Sequence, residues 1–283
     1  MRVLVLGSEG QLGSELRRVL VEHDMTTARH DEVDIAQIAR VIDFARHARP
    51  DVIVNAAGYT DVDGCEKNKE TAFLVNAIGA RNAAIAARKV EADLIHISTD
   101  YVFDGNKEEP YLESDSAQPL NIYGWSKLLG ERMVMEQNLQ TFILRVAWLY
   151  GSVGRNFVKT MLALAKDKEE LNVVEDQMGT PTFAGDVARQ IKLLMDTESY
   201  GLYHCTSQGC CTWYEFAREI FRLAGIPVRV IPVTSAEYPR PARRPAFSVL
   251  DNLMLRVQGL DIMPTWKDSL AAHIEEIKEA NRV

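Results

Sequence analysis

The sequence has no long apolar run. Val3-Leu4-Val5-Leu6 stops at Gly7, and nothing later approaches the roughly 18 apolar residues that a membrane span needs. That opening run is also too short for the core of a signal peptide. A cytoplasmic protein with no membrane partner is therefore expected. Cysteine is scarce: Cys65, Cys205, Cys210 and Cys211 form no CxxC pair, so paired-thiolate zinc binding is excluded and reduced, packed thiols are the plain reading. Nothing in the sequence explains the vicinal Cys210-Cys211. A basic excess is missing too, since 32 Lys and Arg face 40 Asp and Glu for a net charge of −8. This argues against a nucleic-acid partner. It leaves room for an anionic small ligand held by local cations and backbone N–H groups. Internal repeats, low-complexity tails and long flexible linkers are absent as well.

What is present alternates. Arg2 to Leu6 reads as a buried strand, and Gln11 to Glu22 as a helix with Leu12, Leu16, Val19 and Leu20 on one face. Asp51 to Asn55 reads as a strand, Glu70 to Val90 as an Ala-rich helix and Leu94 to Ser98 as a strand. Leu120 to Asn138 then reads as a helix and Thr141 to Ala147 as a strand. Short apolar strands separated by helices predict an α/β chain with a Rossmann-like, doubly wound parallel sheet. Beyond about Tyr150 the spacing predicts helices over 155–166, 184–195, 213–224 and 266–280. It also predicts strands over 171–174, 203–206 and 228–231, and a Pro-rich loop from Pro239 to Pro245. Within 283 residues, the expected division is a dinucleotide-binding domain over 1–150, with about 171–200 returning to it. A smaller C-terminal α/β substrate lobe covers about 151–170 and 201–283.

Three local patterns carry chemistry. Gly7-Ser8-Glu9-Gly10-Gln11-Leu12-Gly13 is a GxxGxxG run between the first strand and the first helix, where a pyrophosphate can approach the backbone and the helix N-terminus. The second strand ends near Thr27-Ala28-Arg29-His30. A cation there suits the 2′-phosphate of NADPH, so Arg29 tilts the cofactor toward NADPH; a merely solvated arginine is the alternative. Tyr123 and Lys127 stand at i and i+4, one helical turn apart, and Ser98-Thr99-Asp100 stands where a strand ends. A free phenol has a pKa of about 10, and a nearby ammonium is expected to lower it, with Thr99 orienting the substrate oxygen. Together these three side chains suit proton transfer coupled to hydride transfer.

With these motifs in hand, the chain resembles the extended short-chain dehydrogenase/reductase superfamily. Within it, the chain is similar nearly end to end to dTDP-4-dehydrorhamnose reductases. The matching stretches are Gly7 to Gly13, Asp51 to Ala57, Tyr59 to Asp63, Ser98 to Gly105 (STDYVFDG), Tyr123 to Lys127, Arg145 to Gly151, Asn156 to Met161, Asp176 to Thr182 (DQMGTPT), and Arg244-Pro245. The resemblance implies Tyr123 as proton donor, Lys127 as its partner and cofactor-ribose ligand, and Thr99 as the hydroxyl that tunes it. It implies a cofactor set of Gly7, Gly10, Gln11, Leu12, Gly13, Arg29, Asp34, Ile35, Gly58, Tyr59, Thr60 and Ile97 with Tyr123 and Lys127. For the deoxysugar nucleotide it implies Thr99, Asp100, Tyr101, Trp148, Asn156 and Arg244, with Trp148 as an apolar wall and Arg244 on the diphosphate.

The implied reaction passes a hydride from NADPH, or in some relatives NADH, to C4 of dTDP-4-dehydro-β-L-rhamnose and yields dTDP-β-L-rhamnose. Two departures stand out. Leu6 replaces a threonine that many relatives carry. Some relatives hold Mg²⁺ at a dimer interface through glutamates, whereas this chain has Glu15 but Gly185 beside Asp186. No required metal is expected, and the chain is expected to be a monomer or homodimer. Two rival readings remain. One is a sugar-nucleotide epimerase or dehydratase, although dehydratases usually follow Thr-Asp with Glu and Tyr101 stands there. The other is a non-catalytic NADP-binding subunit of the methionine adenosyltransferase type.

Overall fold

A computed structural model describes residues 1–280. Six parallel strands form the central sheet: β1 (Arg2–Leu6), β2 (Asp24–Ala28), β3 (Val52–Asn55), β4 (Asp93–Thr99), β5 (Thr141–Val146) and β6 (Gly201–His204), in the order 6-5-4-3-1-2. The inner strands are apolar on both faces because helices cover both. Val3 and Val5 point to the layer of α1 (Gln11–Val19), packing with Leu12 and Leu16. Leu4 and Leu6 point to the opposite layer, which holds α2 (Ile38–Ala48), α3 (Ala80–Lys89) and α4 (Ile122–Gln137). Alanines 80, 83, 84, 86 and 87 are buried in α3; their small side chains let the helix sit close to its neighbours.

The outer lobe has its own core. It is built from α5 (Phe157–Leu164), α7 (Trp213–Ala224), α8 (Trp266–Ala280) and a parallel pair, Glu170–Val174 with Arg229–Val233. Helix α6 (Ala184–Met195) instead packs on α1. Two strands cross the expected boundaries. Glu170–Val174 pairs in the outer lobe, and Gly201–His204 extends the central sheet beside β5. Pairing partners decide this, and a short apolar strand does not name its own. The expected lobe ends at residue 283, whose last three positions lie outside the described residues.

The expected helix from Glu70 to Val90 is also interrupted. A helix at Lys69–Phe73 passes through a π-turn at Leu74–Gly79 before α3 begins. Such turns recur at functional sites because they re-aim a side chain. Here the turn holds Asn76, buried, against the backbone of Tyr59 in the loop after β3.

Candidate active site

A cleft of about 600 Å³ opens at the carboxyl ends of β1, β3, β4 and β5. The glycine turn forms one wall. Gly7 has φ +80°, and a Cβ there would lie 2.7 Å from the Ala57 backbone nitrogen, so a side chain would push the turn off the loop after β3. Gly10 is the N-cap of α1 and caps no N–H with a side chain; no acidic residue occupies the first turn. Gln11 and Leu12 therefore face the cleft with first-turn N–H groups available, which fits an incoming pyrophosphate. Gly13 lies behind them, buried in α1.

The loop after β3 gives the second wall, with Gly58, Thr60 and Val62. Asn76 holds this loop by a two-way amide bond. It accepts from the Tyr59 nitrogen at 2.8 Å and donates to the Tyr59 carbonyl at 3.0 Å, and it also donates to Ser126 of α4 at 3.0 Å. Tyr59 itself stands outside the cleft lining. Arg29 follows β2 directly and is about half exposed, with its guanidinium 3.2 Å from Asp31, 3.5 Å from Glu32 and 3.8 Å from Glu9 of the glycine turn. Asp34 accepts from Ala36 and Gln37 within its own loop, and Ile35 is buried with its carbonyl taken by Asn82. Of the expected cofactor set, then, Gly10, Gln11, Leu12, Gly58, Thr60, Ile97, Tyr123 and Lys127 line the cleft. Gly7, Gly13, Arg29, Asp34, Ile35 and Tyr59 are not among its lining residues.

Thr99, Tyr123 and Lys127 come together at the floor. Asn121 caps α4 by accepting from Gly124 at 2.8 Å, which fixes the helix start just before Tyr123. Lys127 is 5% exposed and donates its Nζ to the Ile97 carbonyl at 2.5 Å. Burial pushes its ammonium down to about 8, against the opposing pull of Glu131. Glu131 is itself paired with Arg145 by two bonds, at 2.9 and 2.7 Å, and accepts from Ser98 at 2.5 Å. Breaking such a buried pair from one side costs about 3–5 kcal/mol. It anchors β4, β5 and α4 beneath the reactive groups.

Tyr123 behaves differently from the sequence expectation. Burial pushes its phenol up, the Thr99 hydroxyl opposes this and the Asp100 carboxylate adds to it, so the environment of the ring and not the lysine one turn on sets the direction. The phenol is loaded with its proton. Thr99 donates to Asp100 Oδ1 at 3.0 Å and accepts from the Tyr101 nitrogen at 3.2 Å. Asp100 is 2% exposed and, among the described residues, its Oδ2 has no hydrogen-bond partner; burial pushes this carboxyl up to about 6, opposed by the Ser248 and Thr99 hydroxyls.

The substrate side is aromatic. Tyr101 meets Tyr123 edge to face at 5.8 Å. Trp148 lies flat on Trp213, with ring centroids 3.5 Å apart and planes 7° from parallel. Its backbone has φ 44°, uncommon for a residue with a Cβ. The indole also fills the space where a Cβ on Gly179 would sit, 2.4 Å away, which gives the glycine in DQMGTPT a packing reason. Tyr101, Arg155 and Trp213 join the cleft to a side chamber of about 540 Å³ lined also by Gln177, Tyr238, Arg240 and Arg244. Asn156 lies elsewhere than expected. It caps α5 and bonds the Gly151 carbonyl at 2.8 Å and Gln11 at 3.2 Å, so it supports the cleft from behind. Arg155, Trp213 and Arg240 escaped the sequence reading, since no local spacing marks them.

Among the described residues no group of three or more His, Cys, Asp or Glu side chains is placed to hold a metal ion. Glu15 accepts from Ser152 at 2.7 Å and Arg18 at 3.1 Å, and Asp186 from Ser269 at 2.6 Å and from Arg189. Nor is any described helix long and apolar enough to cross a membrane.

A protonated phenol beside a buried ammonium, in a cleft that begins at a dinucleotide-type turn, is the working arrangement of short-chain dehydrogenases/reductases, and the chain is of that class. Comparison narrows it: residues 1–279 match the family described as RmlD substrate binding domain, and the chain belongs to this family. A dTDP-4-dehydrorhamnose reductase of Aggregatibacter actinomycetemcomitans is 40% identical over 286 residues, covering 95% of this chain and 97% of that one. Two crystal structures of proteins so named superpose closely. That of Clostridium acetobutylicum has a TM-score of 0.96 at 45% identity, covering 98% of this chain and all of the other. That of Bacillus anthracis, in complex with NADP, has a TM-score of 0.95 at 43% identity, covering 97% and 99%.

Proposed function

We propose that the chain reduces the 4-keto group of dTDP-4-dehydro-β-L-rhamnose to give dTDP-β-L-rhamnose, with NADPH as the reductant. The observation that carries this reading is the meeting of Thr99, Tyr123 and Lys127 in a cleft continuous with an arginine-lined chamber. The cleft suits the nicotinamide cofactor, the chamber a nucleotide diphosphate. Arg29 stands where a 2′-phosphate would be recognised. When bound, the cofactor supplies the hydride to C4 of the sugar.

The residues do the rest. Thr99 holds the ketone oxygen near the Tyr123 hydroxyl. As negative charge develops on that oxygen, Tyr123 hands over its proton, which burial has kept on the phenol. Lys127, charged below about pH 8, stabilises the phenolate left behind. Arg244 holds the diphosphate. Trp148 and Trp213 exclude water and offer an apolar face to the 6-methyl group. Four unpaired cysteines suit a reducing cytoplasm, where the protein works as a monomer or homodimer.

Incubating the purified protein with NADPH and an enzymatically prepared 4-keto sugar nucleotide should give ketone-dependent NADPH oxidation and a 4-hydroxy product. NADPH binding without turnover on any such ketone would favour a non-catalytic, NADP-binding subunit instead.

A further inference from the structure

The short helix Val62–Lys67 begins where the cofactor wall ends, and two of its acidic side chains reach other parts of the molecule. Glu66 accepts from the Ile122 nitrogen at 2.9 Å and so fixes the start of α4. Asp63 reaches the Pro-framed loop of residues 239–245. Its Oδ1 accepts from Arg244 Nη1 at 3.0 Å and from the Ala242 nitrogen at 3.1 Å. Its Oδ2 accepts from Arg244 Nη2 at 3.0 Å, with Arg240 Nη1 3.8 Å away. The loop has no regular structure of its own, and Asn121 supports it further by donating to the Arg243 carbonyl at 2.8 Å.

These contacts determine how Arg244 meets the side chamber. A guanidinium has five N–H donors. Two go to Asp63, and a third, on Nη1, goes to the Ala242 carbonyl at 2.8 Å. Two remain, on Nε and Nη2, with the Tyr101 hydroxyl close enough to take one of them until a ligand does. The side chain is only 19% exposed, so it is held rather than free. Among the described residues the chamber carries three arginines, Arg155, Arg240 and Arg244, and no acidic residue lines it. With Asp63 just behind, three positive charges less one leave two, which matches a doubly charged diphosphate diester.

We propose that Asp63 is a positioning residue for substrate binding: it holds Arg244, and through Ala242 the loop, in the orientation that receives the diphosphate of a nucleotide-linked sugar. This rests on the reading of the side chamber given above. Asp63 touches neither cofactor nor sugar; it removes the need to order a flexible arginine when the ligand arrives. Ordering one such side chain lowers affinity from about twofold to about tenfold. Loss of the loop tether adds to this. The opposite role is also chemically possible, with Asp63 competing for Arg244, and it predicts the opposite sign.

The test titrates dTDP into wild type, Asp63→Asn, Asp63→Glu, Arg244→Gln and the Asp63→Asn/Arg244→Gln double variant, with NADPH binding as a check on folding. Steady-state kinetics with the 4-keto sugar nucleotide accompany it. Asp63→Asn should weaken dTDP about tenfold and raise KM by a similar factor. Its kcat should stay within about threefold and its NADPH affinity should not change; Asp63→Glu should recover part of the loss. In the Arg244→Gln background, Asp63→Asn should add little, because the two act through one contact. An Asp63→Asn protein that keeps NADPH and binds dTDP as well as or better than wild type overturns the inference alone. A wild type that does not bind dTDP overturns the chamber reading together with it.

Discussion

Lys127 should weaken the fold it serves, by an amount that depends on pH. Burial pushes its ammonium down to about 8 in the folded protein, and unfolding returns it to about 10.4. Below about pH 8 both states hold the proton, and the folded state bears the full penalty of a buried charge. Between about pH 8 and 10.4 the unfolded state binds more protons, so stability rises with pH; above that window both states are neutral. The gap of about 2.4 pH units, at about 1.4 kcal/mol each, is about 3 kcal/mol. Little solvent screening applies, because the side chain is 5% exposed.

Lys127→Met removes the charge and keeps most of the stem. It also leaves the Ile97 carbonyl without its donor, a loss of about 1–3 kcal/mol that does not vary with pH. At pH 7 the variant should therefore be equal in stability to wild type or up to about 2 kcal/mol more stable, while turnover collapses. Urea unfolding of both cofactor-free proteins at several pH values isolates the effect, since all other titrations cancel in the difference. Wild-type stability minus variant stability should climb by about 3 kcal/mol between about pH 7 and 10.4. A flat difference would refute the assignment of a depressed lysine. Over the same range wild-type kcat/KM should fall above about pH 8, as the charge beside Tyr123 disappears.

Three further outcomes are expected. Tyr123→Phe should lower kcat by about 10²- to 10⁴-fold with unchanged NADPH affinity, and a loss under about tenfold in single-turnover reduction would remove Tyr123 as proton donor. Arg29→Ala should raise KM for NADPH by about tenfold, the low end of a charged hydrogen bond's contribution because its guanidinium is shared with Asp31, Glu32 and Glu9. An equal rise for NADH would mean that Arg29 does not read the 2′-phosphate. Gly179→Ala should force Trp148 from its stack on Trp213, costing about 1–3 kcal/mol and raising KM for the sugar nucleotide; an unchanged urea midpoint together with an unchanged KM would show that the indole has room to move.

The parts of this molecule readable in its sequence are those whose cause is local. A run such as Val52-Ile53-Val54 is apolar throughout because both its faces are covered, and that shows without any partner. Tyr123 and Lys127 stand one turn apart, so a four-residue spacing suffices to put both in the cleft. Helix α2 escaped notice: only Val41 and Ala45 are buried along its length, too thin an apolar stripe to stand out. The same limit explains the misplaced strands, since Glu170–Val174 and Gly201–His204 differ in sheet only through what they pair with.

Proton affinities are less local still. Adjacency of a lysine suggested an acidic phenol, but the direction for Tyr123 is set by what surrounds it, and surroundings come from distant segments. The ion pair of Asp63 and Arg244 spans 181 residues, each end inside a motif legible by itself. Motifs therefore announced which chemical groups the chain carries. How strongly each holds its proton, and which arginine is fixed rather than free, follows from contacts between motifs, and those exist only once the sheet has brought its carboxyl ends together.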